Sequence, residues 1–130
     1  VRDLASRFLL TTEDILFTGH IPFDELLSVY RLGDVFLSMS EHEGFCLPLI
    51  ESSYLNVPVV AYNAGAVAET LRGSGIIFNQ KKVELVAGLL DSVINDENLR
   101  QTLKQKQEAL IQAYQSEARP EAIYSLLEAL

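Results

Sequence analysis

The sequence predicts an α/β fold, a parallel sheet of about four strands flanked by helices and followed by further C-terminal helices. Two observations carry that expectation. Four short apolar runs, at 15–18, 34–38, 58–62 and 75–78, alternate with segments whose apolar residues recur at helical spacing. The runs are also nearly continuous in their apolar character, which suits strands covered on both faces, joined by right-handed crossovers.

Each element has its own local reason. Leu4, Phe8 and Leu9 stand at helical spacing at the very start, with no cap ahead of Val1, so the chain reads as a segment of something longer. The β-prone run Ile15-Leu-Phe-Thr18 ends at Gly19, and Pro22 introduces a helix marked by Phe23, Leu26, Leu27 and Tyr30. Asp34-Val-Phe-Leu-Ser38 reads as a second, buried strand. A loop follows it, then a helix from Pro48 to about Leu55, because proline favours the first helical turn and pushes the residue before it out of the α region. Pro58-Val-Val-Ala-Tyr62 is the third strand, leading through Asn63-Ala-Gly65 to a short helix near Val67 to Leu71. Gly75-Ile-Ile-Phe78 is the fourth. Val83, Val86, Leu90 and Val93 mark the next helix, Leu89 and Ile94 widen its apolar stripe, and Asp96 is placed to cap the one after it. The remainder to Leu130 is helical in pattern, with a break near Pro120.

Length and composition set outer limits. A chain of 130 residues with 48% hydrophobic and 22% charged content fits one globular domain, residues 1–130. A net charge of −8 argues against a nucleic-acid groove or an anionic membrane face, both of which need clustered Lys and Arg. The apolar runs are shorter than the ~20 residues of a membrane span, and no leader pattern opens the chain, so membrane association is not indicated and a cytoplasmic location is expected. The single cysteine, Cys46, gives neither an internal disulfide nor a zinc-ligand spacing, and no metal is expected.

Function is concentrated in Ser40-Glu-His-Glu-Gly-Phe-Cys-Leu-Pro-Leu-Ile-Glu51. One continuous helix over 43–51 would set Glu43 and Glu51 roughly 12 Å apart along its axis and about 80° apart around it. Gly44 and Pro48 argue against that helix, leaving Glu43 on the loop and Glu51 near the first helical turn. Free N–H groups and the positive end of the dipole at a helix entrance favour an anion such as a diphosphate. The carboxylates then make sense as acceptors for sugar hydroxyls on either side of it. In parallel sheets ligands bind beyond the carboxyl ends of the strands, so Gly19-His20, the loop from Met39 to Leu47 and Asn63-Ala-Gly65 are expected on one rim.

Simpler readings apply to several neighbours. Phe45 is expected to plug the core beneath the loop, and Cys46 to be a small packing residue rather than an activated thiol. His20 and His42 have no metal-ligand partners in the sequence and read as structural or solvated. Glu69 fits a helix start and a ligand-side role equally. Gly65 is expected for its backbone geometry, Lys81 and Lys82 as a solvated helix start, and Ser38 and Ser40 lack the strained turn of a serine nucleophile.

Together with Val57-Pro-Val-Val-Ala and Asn63-Ala-Gly-Ala-Val-Ala-Glu69-Thr-Leu, the 40–51 stretch resembles the C-terminal, donor-binding domain of glycosyltransferase family 4, also called glycosyl transferases group 1. The likeness covers about residues 1 to 115. It implies a Rossmann-like half of a GT-B glycosyltransferase, truncated at its N-terminal side. The parent would be a retaining hexosyltransferase that moves a hexose from a UDP-, GDP- or ADP-sugar to an acceptor, with no cofactor or metal. By the same resemblance Glu43, the catalytic candidate, holds donor-sugar hydroxyls and Glu51 binds the ribose. Gly44 lies between Glu43 and the backbone amides of Phe45, Cys46 and Leu47, which face the diphosphate. Gly19, His20 and Ile21 lie against the base.

The family often has glycine where Cys46 stands, so a positive φ there implies strain. Its phosphate-neutralising Arg and Lys, and its acceptor-binding N-terminal domain, lie upstream of such a segment, so this segment alone is expected to be inactive. Two other functions suit the same architecture. One is a nucleotide-sugar 2-epimerase-like isomerase, and the other a non-catalytic interaction domain using the amphipathic C-terminal helices.

Overall fold

The structure is a computed structural model and describes residues 2–117. Its elements, in order, are α1 (Arg2–Arg7), α2 (Phe23–Leu32), β1 (Phe36–Ser38), α3 (Leu47–Tyr54), β2 (Val59–Tyr62), α4 (Val67–Leu71), β3 (Ile76–Phe78), α5 (Val83–Asn95) and α6 (Glu97–Glu117). The strands form one parallel sheet in the order β1-β2-β3, with Phe36 opposite Val59 and Val60 opposite Ile76.

β2 is the centre of the molecule, and its alternation builds two cores. Val59 and Ala61 face α3 and α4, packing with Cys46, Leu49, Val67 and Leu71. Val60 points to the other face and meets Phe78, Val86, Val93 and Leu103 from β3, α5 and α6. Val59, Val60, Val67 and Val93 lose all their exposure. Each such valine contributes about 1.5–3 kcal/mol of hydrophobic stabilisation. α3 approaches the sheet closely because Ser52 and Ser53 on its inner face are small, and their hydroxyls bond back to the carbonyls of Pro48 and Leu49 at 2.7 and 2.8 Å.

The long α6 starts where Asp96 caps it, accepting from the Leu99 amide at 3.0 Å, as the sequence suggested. It packs first on α5 and then across α3. Gln107, fully buried, ties it there: Nε2 donates to the Val57 carbonyl at 2.9 Å and to Ser53 Oγ at 3.3 Å.

Two expectations for the N-terminal part change. The sheet has three strands rather than four, because the run at 15–18 is not part of it. A turn held by Thr11, whose amide and hydroxyl both donate to Asp14 Oδ2 at 2.8 and 2.9 Å, precedes this run, and the left-handed Gly19 follows it. Leu16 stays 76% exposed, and strand propensity is realised only where a run finds a neighbour to pair and pack with. Similarly α1 stops at Arg7, leaving Phe8 and Leu9 exposed, with Leu9 at φ 59°. The expected break near Pro120 and the helical tail to Leu130 lie outside the described residues.

Candidate functional site

β1 ends at Ser38 and delivers the chain into the loop that carries the motif. The loop turns into α3 through Cys46, which sits at the N-cap in the left-handed region with φ 54° and offers no side-chain cap. The helix begins at Leu47, one residue earlier than expected, with Pro48 in its first turn. A non-glycine residue in that region costs roughly 1–2 kcal/mol. The cost is tolerated because the Cys46 side chain is buried in the core with Leu49 and Val59. Among the described residues, the backbone N–H groups of Gly44, Phe45, Cys46 and Leu47 donate to no protein acceptor. They open onto the positive end of an eight-residue helix.

The carbonyls of the same loop are, by contrast, held. The Ala66 amide donates to the Glu43 carbonyl at 3.2 Å, and the Thr70 hydroxyl donates to the Phe45 carbonyl at 2.8 Å. Gly65, at φ 54°, passes so close that a Cβ there would lie 2.0 Å from the Glu43 carbonyl oxygen. The geometric role expected of Gly65 is therefore a double one, a left-handed turn and a close approach of two backbones. The loops at 39–47 and 63–65 meet on one rim, as expected for a parallel sheet.

The two motif carboxylates influence different neighbours, Glu51 the half-buried Tyr30 and Glu43 the buried Cys46. The Tyr30 hydroxyl donates to Glu51 Oε2 at 3.0 Å. Burial, then the hydrogen bond and charge of Glu51, push the Tyr30 phenol up to about 12. Burial, then hydrogen bonding and charge from Glu43, push the Cys46 thiol up to about 11, so it is an inert packing group as the sequence suggested. Cys46 adds a smaller upward push on Tyr30. Both carboxylates are half-buried.

Other positions differ from expectation. Phe45 is 51% exposed and does not plug the core; Cys46 takes that place, and the Phe45 ring meets Tyr114 of α6 edge-on, centroids 5.7 Å apart. Lys81 is not simply solvated: its Nζ donates to the Met39 carbonyl at 2.7 Å and to Glu41 Oε1 at 2.9 Å, over the Tyr62 ring. It brings a cation to the loop entrance from 40 residues away in sequence, which no local pattern announced. Glu69 is exposed, and Ala66 at the start of α4 has no side-chain cap, so no capping role is seen. His20 and His42 are exposed.

Gly19 and His20 are also exposed and Ile21 half-buried, and the strand that would have carried them to the rim is not formed. A cleft of about 470 Å³ opens between α2, α3 and α6, with Phe23, Leu27, Glu51, Tyr54 and Tyr114 in its walls. Glu43 and the free amides lie outside it. The cleft walls are mainly apolar, and a charged ligand would be poorly solvated there.

A parallel sheet covered by helices on both faces, with a loop of free amides after its edge strand, defines a Rossmann-like half-domain. Residues 3–110 match the family profile described as Glycosyl transferases group 1, and the chain belongs to that family. It is 28% identical over 101 residues to the serotype-specific mannosyltransferase WbdA of Escherichia coli, covering 78% of this chain and 12% of that protein. It is 32% identical over 100 residues to a sulfoquinovosyl transferase of Arabidopsis thaliana, covering 73% and 20%. The chain thus spans a quarter or less of the curated relatives it matches. Among solved structures it is similar to the C-terminal domain of a glycosyl transferase group 1 family protein, LpcC, from Francisella tularensis. The TM-score is 0.72 at 29% identity, over 86% of this chain and 58% of that one. A sucrose-phosphate synthase from Thermosynechococcus elongatus shares the fold, with a TM-score of 0.81 at 22% identity over 98% of this chain and 33% of that one. The architecture is that of a Rossmann-like half of a GT-B enzyme.

Proposed function

We propose that this chain is the donor-binding part of a retaining glycosyltransferase that moves a hexose from a nucleotide-diphosphate sugar to an acceptor. The single observation that carries the reading is the row of unpartnered amides at residues 44–47, at a helix entrance between Glu43 and Glu51. The amides of Phe45, Cys46 and Leu47 receive the diphosphate, and main-chain donors stabilise the charge that grows on it as the sugar leaves. Glu43 accepts from hydroxyls of the donor sugar and Glu51 from the ribose. The base lies toward Gly19, His20 and Ile21.

No cofactor or metal takes part in this reading. The remaining charge on the leaving phosphate is met by basic groups supplied outside this segment, so the segment alone binds weakly and does not turn over. An upstream acceptor-binding domain completes the site. That the mannosyl- and sulfoquinovosyl-transferring relatives match over this segment supports a sugar-transferring parent. Among the described residues no helix is long and apolar enough to cross a membrane, and we place the reaction in the cytoplasm.

The test is a binding and turnover screen of the full-length protein against UDP-, GDP- and ADP-sugars, repeated with Glu51→Ala. The substitution is expected to weaken nucleotide binding by about 1–3 kcal/mol. Unchanged affinity would remove Glu51 from the site. Failure of every nucleoside diphosphate to bind would favour an interaction domain, and epimerised donor as product would favour the isomerase.

A further inference from the structure

Tyr30 lies outside the motif, on α2, yet among the described residues it makes the hydrogen bond that Glu51 Oε2 accepts at 3.0 Å, while Oε1 accepts none. Its own position is fixed independently of the motif. The ring is half-buried against Phe36 of β1, centroids 5.9 Å apart, so the hydroxyl is held from the sheet side before any ligand arrives. A glutamate free to change rotamer must be ordered on binding, at an entropic cost that a pre-set hydrogen bond removes. A neutral donor on a carboxylate also makes a charge-assisted bond, stronger than one between neutral groups.

We infer that Tyr30 is a positioning residue for ribose recognition: its hydroxyl occupies one oxygen of the Glu51 carboxylate and presents the other to the ribose hydroxyls of a nucleoside diphosphate. This rests on the ribose role proposed for Glu51. The phenol is well suited to the task, because burial and the neighbouring carboxylate keep it protonated far above neutral pH.

The experiment is calorimetric titration of the full-length protein with UDP, GDP and ADP, and with the 2′,3′-dideoxy counterpart of whichever binds. Tyr30→Phe is expected to lower affinity for the ribonucleotide on the order of 5- to 10-fold and to leave affinity for the dideoxy form unchanged. Its melting temperature should stay close to that of the parent, because the ring still packs on Phe36. Glu51→Ala should erase the difference between ribo and dideoxy forms, and adding Tyr30→Phe to it should lose nothing more. If Tyr30→Phe keeps full discrimination while Glu51→Ala loses it, the inference is overturned and the ribose reading stands. Equal losses toward both nucleotides would mark a merely structural tyrosine and overturn it as well. Discrimination retained in Glu51→Ala, or no nucleotide bound at all, sinks the ribose reading and this inference with it.

Discussion

At the scale of single residues, the motif loop is shaped by two backbones in the left-handed region, at Cys46 and Gly65. Glycine at 65 answers a steric demand, since any Cβ would press into the Glu43 carbonyl. Gly65→Ala is therefore expected to destabilise the protein by about 1–3 kcal/mol and to weaken donor binding more than tenfold. Urea denaturation and nucleotide titration check this; parental values in both would mean that the loops at 43 and 65 are not in contact. The two raised side chains beside the motif give a pH dependence. Tyr30 is raised from 10.0 to about 12 and Cys46 from 9.0 to about 11, so the folded state favours the protonated form of each. Their stabilisation is complete below pH 9 and is lost as pH rises from 9 to 12. Melting temperature followed over that range should fall, and Tyr30→Phe should flatten the upper part of the decline. A profile that is flat to pH 12 would refute the burial of both groups.

At the scale of elements, α6 acts as a brace for α3 and for the loop ahead of it. Gln107 fastens it to the Val57 carbonyl, and Tyr114 donates to the Thr70 carbonyl at 3.1 Å while its ring meets Phe45. Thr70 in turn holds the Phe45 carbonyl, so the end of α6 and the motif loop are joined through α4. Arg72 adds a paired contact with Glu117 and lies over the Tyr114 ring, though an exposed ion pair of this kind contributes little. The buried Gln107 bond matters more. Gln107→Leu puts more apolar surface in the core yet strands the Val57 carbonyl, so it is expected to cost about 1–3 kcal/mol. Chemical denaturation decides it, and a gain in stability would show that the added apolar burial outweighs the hydrogen bond.

At the scale of the whole molecule, several large apolar side chains of the N-terminal part stay in water. Phe8, Leu9, Leu16, Phe23 and Leu32 are exposed, and β1 is an edge of the sheet. Exposed large apolar side chains and an open strand edge both favour association. The 130-residue chain is expected to self-associate as concentration rises and to bind an apolar dye. Sedimentation over a concentration series measures this. A dye-free monomer at all concentrations would show that these side chains are accommodated in water.

Much of this was open to reading along the chain, because the governing forces there are local. Apolar period, Pro48 near the start of α3, Asp96 ahead of α6 and the position of Glu43 before Glu51 follow from the residues and their neighbours, and they point to the family without any coordinates. The pairs that set the site do not: Tyr30 with Glu51, Thr70 with Phe45 and Lys81 with Met39 are 21, 25 and 42 residues apart. Phe45 also left its expected place in the core while Cys46 kept its own, since a left-handed turn at 46 decides which of two adjacent side chains reaches the core. The run at 15–18 has the composition of a strand but no place in the sheet. Local sequence determines what each segment tends to become; whether it finds a partner, and which way each side chain then points, is a property of the packed molecule.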